Sequence, residues 1–268
     1  MSPSVPADGA IGVFDSGVGG LTVVEALERR LPAESIVYLG DTARLPYGSK
    51  SPETVTSYTR KNVDFLRARG VKAVVVACNT ASALALPHLD LDVPVWGVVG
   101  PGARRAAAAT AGRVGVIATE STVRSDAYGR ALRELLPDAE VWSRACPLFV
   151  PLVEEGWHDD PVTEQVARRY LAPLLSARVD TLVLGCTHYP MLRPLLARVA
   201  GSGVALVDSA ESVAEEVARD LAAAGLAAPP DAVPSHRLFV TDASANFATF
   251  ARRILGEGAG ELEWVEVT

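Results

Sequence analysis

The sequence predicts an α/β fold: two pseudo-symmetric parallel-sheet α/β domains with a functional cleft between them. Three observations carry this. Short apolar runs alternate with amphipathic stretches along the whole chain, as parallel sheets with helical crossovers require. The order repeats after about a hundred residues, with Ala10–Phe14 (AIGVF) echoed by Arg113–Ala118 (RVGVIA) and Ala73–Ala81 (AVVVACNTA) echoed by Thr181–Pro190 (TLVLGCTHYP). Each half also places one cysteine, Cys78 or Cys186, where an apolar run stops and a helix begins.

The elements follow in order. Ala10–Phe14 is a buried strand ending at Asp15. Ser16-Gly17-Val18-Gly19-Gly20 then leads into a helix from about Leu21 to Leu31, stopped by Pro32. Bare N–H groups after such a turn suit an anion. It is not the dinucleotide fingerprint, because Thr22 replaces the third glycine. Ser35–Leu39 is a strand, followed by the loop Gly40–Gly48, which mixes turn residues with polar and aromatic side chains. A helix spans Pro52–Arg69, with Val55, Tyr58, Phe65 and Leu66 on one face. Ala73–Ala77 is a strand, a helix runs from Cys78 to about Leu89, and Val93–Val99 is a strand closed by Gly100-Pro101-Gly102.

The second cycle begins with a helix at Arg104–Thr110 and a strand at Arg113–Ala118. A helix at Arg124–Leu136, a strand at Ala139–Trp142, a helix at Thr163–Leu175 and a strand at Thr181–Leu184 complete it. The tail adds strands at Val204–Val207, Arg237–Val240 and Leu262–Val265 and helices at Glu211–Ala224 and Asn246–Leu255. Residues 101–208 are expected to form the second domain. Residues 1–100 together with 209–268 form a discontinuous first domain.

Composition narrows the function. The chain has 268 residues, 49% apolar, with a net charge of -7. That length supports a sizeable core, and the charge disfavours nucleic acid. Three cysteines in so long a chain do not form a disulfide framework. The N-terminal MSPSVPADGA has no basic segment followed by an apolar one, so no secretory signal is read. No apolar run reaches eighteen residues, so no membrane span is expected. A cytoplasmic protein with reduced thiols follows.

In parallel sheets ligands sit beyond the carboxyl ends of the strands. Two facing domains would therefore point Cys78 and Cys186 into one cleft from opposite sides. Thiols at helix N-termini are expected to have lowered pKa values. Such a pair suits two-base racemisation of an amino acid: one thiolate takes the α-proton and the other thiol returns one to the opposite face. Lys50, Lys61 and Lys72 are the only lysines, and none lies in a strand-end motif. A Schiff-base cofactor is therefore not favoured, and no cofactor is expected. Cys186-x-His188 lacks a second ligand pair, so no metal is expected. Cys146 reads as a packing residue. Asp15 and Asp41 could act as helix caps, and Asp41 is open between capping and substrate contact.

Several motifs together resemble the bacterial glutamate racemases of the aspartate/glutamate racemase family: Phe14–Leu21, Gly40–Arg44, Pro46-Tyr47-Gly48, Ala77–Ala81, Cys146–Glu154 and Gly185–Pro190. The resemblance runs in register from about residue 11 to about 255. It implies a cofactor-independent, two-domain enzyme that makes D-glutamate for peptidoglycan and is often dimeric. Cys78 and Cys186 would be the acid/base pair, the first acting on the D-enantiomer and the second on the L. Asp15 would assist Cys78; His188 and Glu154 would assist Cys186. Asp15, Ser16, Pro46, Tyr47, Gly48, Asn79, Thr80, Thr187 and His188 fall in the substrate-binding segments. Thr119 and Thr122 would add hydroxyls from the second half, and Asp41 is a further candidate contact. Other readings are a racemase for aspartate or another small amino acid, and a catalytically silent binding protein. A thiol–disulfide oxidoreductase is weakened by the lack of C-x-x-C.

Overall fold

The computed structural model describes residues 9–243, 245–256 and 262–268. The N-terminal eight residues, on which the expected absence of a secretory signal rests, lie outside them. Among the described residues, ten strands form two sheets, and every pairing is parallel. The first contains β1 (Ile11–Asp15), β2 (Ile36–Gly40), β3 (Ala73–Val76), β4 (Val95–Gly97), β9 (His236–Val240) and β10 (Leu262–Trp264), in the order β10-β9-β2-β1-β3-β4. The second contains β5 (Arg113–Ala118), β6 (Glu140–Ala145), β7 (Thr181–Gly185) and β8 (Ala205–Asp208), in the order β6-β5-β7-β8. The strand order 2-1-3-4 is thus used twice, and the weak repeat in the sequence is a repeat in topology. Both cysteines follow equivalent strands: Cys78 comes after β3, which pairs with β1, and Cys186 after β7, which pairs with β5.

The apolar runs are buried because helices cover both faces of a parallel sheet. In the first half these are α1 (Leu21–Arg30), α2 (Pro52–Arg67) and α3 (Asn79–Leu84). The second half carries α4 (Val99–Ala109), α5 (Glu120–Ser125), α6 (Ala127–Leu135), α7 (Phe149–Glu154), α8 (Pro161–Ser176) and α9 (Arg193–Ala200). The chain returns through α10 (Ser209–Ala224), which packs on both α1 and α4, and then α11 (Ala245–Leu255), which packs on α1. One buried apolar cluster runs from Ile11 and Leu21 to Leu184 and Val213, so the two halves share a core. No helix among the described residues is long and apolar enough to cross a membrane.

Four elements depart from the sequence expectation. The turn placed at Gly100-Pro101-Gly102 is the first turn of α4, where a proline's missing N–H is not needed. The helix expected from Cys78 to Leu89 ends at Leu84, because Pro87 cannot continue its hydrogen bonding; a short 3-10 turn, Leu86–His88, follows. The helix at Arg124–Leu136 is two helices broken at Asp126, which has a left-handed φ of 51°. The Thr119 hydroxyl caps the first of them by accepting from the Thr122 N–H. Finally, β6 continues to Ala145 along its pairing with β5, and the segment after Cys146 folds as α7.

Candidate active site

The carboxyl ends of both sheets converge on one cavity of ≈ 340 Å³. Cys78, Asn79 and Thr80 reach it from the β3–α3 junction, and Cys186, Thr187 and His188 from the end of β7. Ser16 enters from the turn after β1. Pro46, Tyr47 and Gly48 come from the loop after β2, Thr119 from the end of β5, and Glu154 from the end of α7. Leu45, Ser49, Glu120, Pro147, Val150 and Pro151 also line it, although the sequence reading did not single them out as contacts. Glu120 follows the candidate Thr119 and the others lie next to or inside a named motif, and that proximity is the available signal.

Three named candidates lie outside the lining. Asp15 is fully buried beneath it and accepts hydrogen bonds from Gly17 N (2.9 Å) and the Thr187 hydroxyl (3.3 Å). Asp41 is also fully buried. Its carboxylate accepts from the Tyr47 hydroxyl, the Thr241 hydroxyl (3.0 Å) and Asn62 Nδ2 (3.4 Å). It therefore anchors the Tyr47 loop from behind. Thr122 sits one shell back, with its hydroxyl 2.9 Å from that of Thr119 and 3.3 Å from that of Thr80. The Thr80 and Thr119 hydroxyls are 2.9 Å apart, so a hydrogen-bonded seam joins the two halves at the cavity wall.

The two thiols occupy different surroundings. Cys78 Sγ is 3.5 Å from the Ser16 hydroxyl. Burial, reinforced by the nearby Asp15 carboxylate, pushes its pKa up to about 12. This reverses the expectation of a lowered thiol pKa. Helix α3 is short, and its N–H groups supply less stabilisation of a thiolate than the loss of water removes. Cys186 Sγ is 3.9 Å from His188 Nδ1, and His188 Nε2 is 3.1 Å from Glu154 Oε1. Burial alone would lower the imidazolium pKa. The hydrogen bonds and negative charge of Cys186 and Glu154 outweigh it and hold His188 at about 10. Burial raises the Asp15 carboxyl, partly offset by His188, the Gly17 and Gly20 N–H groups and Thr187.

These motifs interlock through Gly19. A β-carbon there would lie 2.7 Å from His188 Nδ1, so only glycine lets the first-half turn approach the Thr187-His188 segment. Cys146 is buried away from the cavity lining. Its sulfur faces the Arg144 carbonyl at 3.6 Å, and its own carbonyl accepts from the Tyr189 hydroxyl at 2.9 Å.

The cavity can hold a small anionic ligand between two thiols. Apart from the His188 imidazolium, which Cys186 and Glu154 engage, its donors are neutral and include the hydroxyls of Ser16, Thr80 and Thr119 and the Asn79 amide. Asn79 Nδ2 is buried and has no hydrogen-bond partner among the described residues. No lysine or arginine is among the lining residues. Lys72 instead meets Glu34 at 2.6 Å, beside the amino ends of β3 and β2. No group of three or more His, Cys, Asp or Glu side chains among the described residues is placed to hold a metal ion.

Comparison with known proteins gives four findings. A family model for Asp/Glu/Hydantoin racemase matches residues 11–217. The glutamate racemase of Geobacter metallireducens is 53% identical over 261 residues, covering 96% of this chain and 97% of the relative. Among solved structures, the glutamate racemase isoform RacE1 of Bacillus anthracis superposes with a TM-score of 0.93 at 42% identity, covering 97% of this chain and 98% of that one. The Francisella tularensis glutamate racemase, solved in complex with D-glutamate, superposes with a TM-score of 0.91 at 36% identity, covering 97% and 98%.

Proposed function

The chain belongs to the Asp/Glu/Hydantoin racemase family, and from that premise we propose that it interconverts L- and D-glutamate, one cysteine removing the α-proton and the other delivering its own proton to the opposite face. The observation that carries the reading is the pair of thiols, Cys78 and Cys186, lining one cavity from equivalent strand ends of two similar sheets. Enantiomers are near mirror images, and a two-sided proton relay needs near-mirror placement of its two acid/base groups.

The surroundings of the thiols suit a direction. His188 stands as an imidazolium beside Cys186, while buried Cys78 keeps its proton. Cys186 thiolate takes the α-proton of L-glutamate, breaking C–H and forming S–H. The Cys78 thiol gives its proton to the opposite face, forming the new C–H bond of D-glutamate and leaving a Cys78 thiolate. D-glutamate reverses these steps. The positive ammonium of the bound amino acid favours the thiolate form of either cysteine. The α-proton is a very weak acid, so the developing charge on the substrate must be met by donors in a site that excludes water. The cavity's hydroxyls and the Asn79 amide are available for that purpose.

D-glutamate made this way would supply peptidoglycan synthesis in the cytoplasm, with the enzyme working as a homodimer and without a cofactor. We divide the chain into 101–208 and a discontinuous domain of 1–100 with 209–268. The support for this division is that β9 and β10 add to the edge of β2 while β5 to β8 form their own sheet.

The test is proton NMR of L-glutamate in deuterated buffer with cofactor-free protein, read beside circular dichroism. Loss of the α-proton signal together with decay of the dichroic signal is expected. Cys78→Ala and Cys186→Ala should each lower interconversion at least ~10³-fold. Persistence of both signals under reducing conditions overturns the glutamate assignment, and the same assay with aspartate then decides between a different substrate and a catalytically silent protein.

A further inference from the structure

Tyr128 lies on α6 of the second half, buried and outside the cavity lining. Its hydroxyl donates to Asn79 Oδ1 at 2.7 Å, across 49 residues of sequence and from one half of the molecule to the other. The Tyr128 hydroxyl has a single proton, and that proton goes to Asn79 Oδ1. The Asn79 amide is thereby oriented, with its oxygen toward α6 and its unpartnered NH₂ left on the other side of the group. A bound carboxylate is attracted by that NH₂ and would be repelled by the amide oxygen. The ring of Tyr128 also touches the second cysteine's strand. A β-carbon on Gly185 would lie 3.1 Å from Tyr128 Cε2, so the residue before Cys186 rests against this ring.

We propose that Tyr128 is a positioning residue, which pins the Asn79 amide so that its NH₂ faces the bound substrate. The role rests on the racemase reading above. Tyr128 belongs to neither cysteine motif and touches the residue after one cysteine and the residue before the other. Its hydroxyl acts through Asn79, and its ring supports the end of β7.

Tyr128→Phe keeps the ring and removes the hydroxyl. It is expected to lower kcat/KM for glutamate about tenfold. In an Asn79→Ala background the same change should cost less than about twofold, because a residue acting through Asn79 has nothing left to orient. A purely structural role would instead give additive losses. The second readout needs no turnover: the ¹⁵N signals of the Asn79 side-chain NH₂, identified by their loss in Asn79→Ala, should shift and exchange faster in Tyr128→Phe. Additive losses, activity within twofold of the unsubstituted chain, or an unchanged amide signal overturn the proposal. If the unsubstituted chain does not racemise glutamate, the substrate reading fails, and the amide signals alone decide the role of Tyr128.

Discussion

At the scale of single residues, the histidine beside Cys186 governs the pH response. His188 is poised as an imidazolium up to about pH 10 by Cys186 and Glu154, against the effect of its own burial. A positive neighbour stabilises the thiolate that must act as base. Above pH 10 His188 loses its proton and that support disappears. We therefore expect kcat/KM to fall along an alkaline limb near pH 10. L- and D-glutamate have equal free energies, so the limb must be the same in both directions, although kcat and KM can each differ. His188→Asn should lower kcat/KM by ~10²-fold and remove the limb. Initial rates from pH 6 to 11 check this, and a limb in the same place in both proteins would refute the role of His188.

Among elements, the loop after β2 depends on a polar cluster anchored behind the cavity wall. Asp41 follows the strand and turns inward, gathering Tyr47 and Asn62, with Thr241 from just after β9. Tyr47 in turn lines the site, so the cluster sets the position of the cavity wall. Asp41→Ala should lower Tm by roughly 5 °C and raise KM ~10-fold, because buried donors lose their acceptor and the loop loosens. Calorimetry and steady-state kinetics read the two effects. A fall in kcat with no loss of Tm would instead make Asp41 a substrate contact. The sequence shows the loop and its polar character, but not which way the Asp41 carboxylate turns. That depends on Asn62 and Thr241, which come from distant parts of the chain.

Over the whole molecule, stability and chemistry sit at opposite ends of the first sheet. The site occupies the carboxyl ends of the strands. Just before the amino ends, Lys72 and Glu34 form a buried ion pair at 2.6 Å, and Glu34 also accepts from Ala228 N at 2.8 Å. The second contact ties the segment between α10 and β9 to the base of the sheet. Glu34→Ala removes one side of a buried pair, which typically costs about 3 kcal/mol or more. Tm should drop by at least roughly 6 °C, while kcat/KM at 25 °C per folded molecule stays within twofold. Thermal melts and active-site titration separate the two effects, and a loss of kcat/KM matching the loss of stability would contradict the division.

The sequence by itself determined the order of strands and helices, the echo between the halves and the two strand-end cysteines. Those features are written in contiguous apolar runs, and such runs report on burial because neighbouring residues share one strand. Tertiary structure alone decided where α4 begins, how the 124–136 region breaks at Asp126, and that Cys78 is buried deeply enough to hold its proton. It also decided that Asp41 faces the core and that Tyr128 meets Asn79 across the halves. The physical reason is common to all of these. Desolvation and hydrogen bonding depend on which distant elements close over a group, and no local pattern along the chain carries that information.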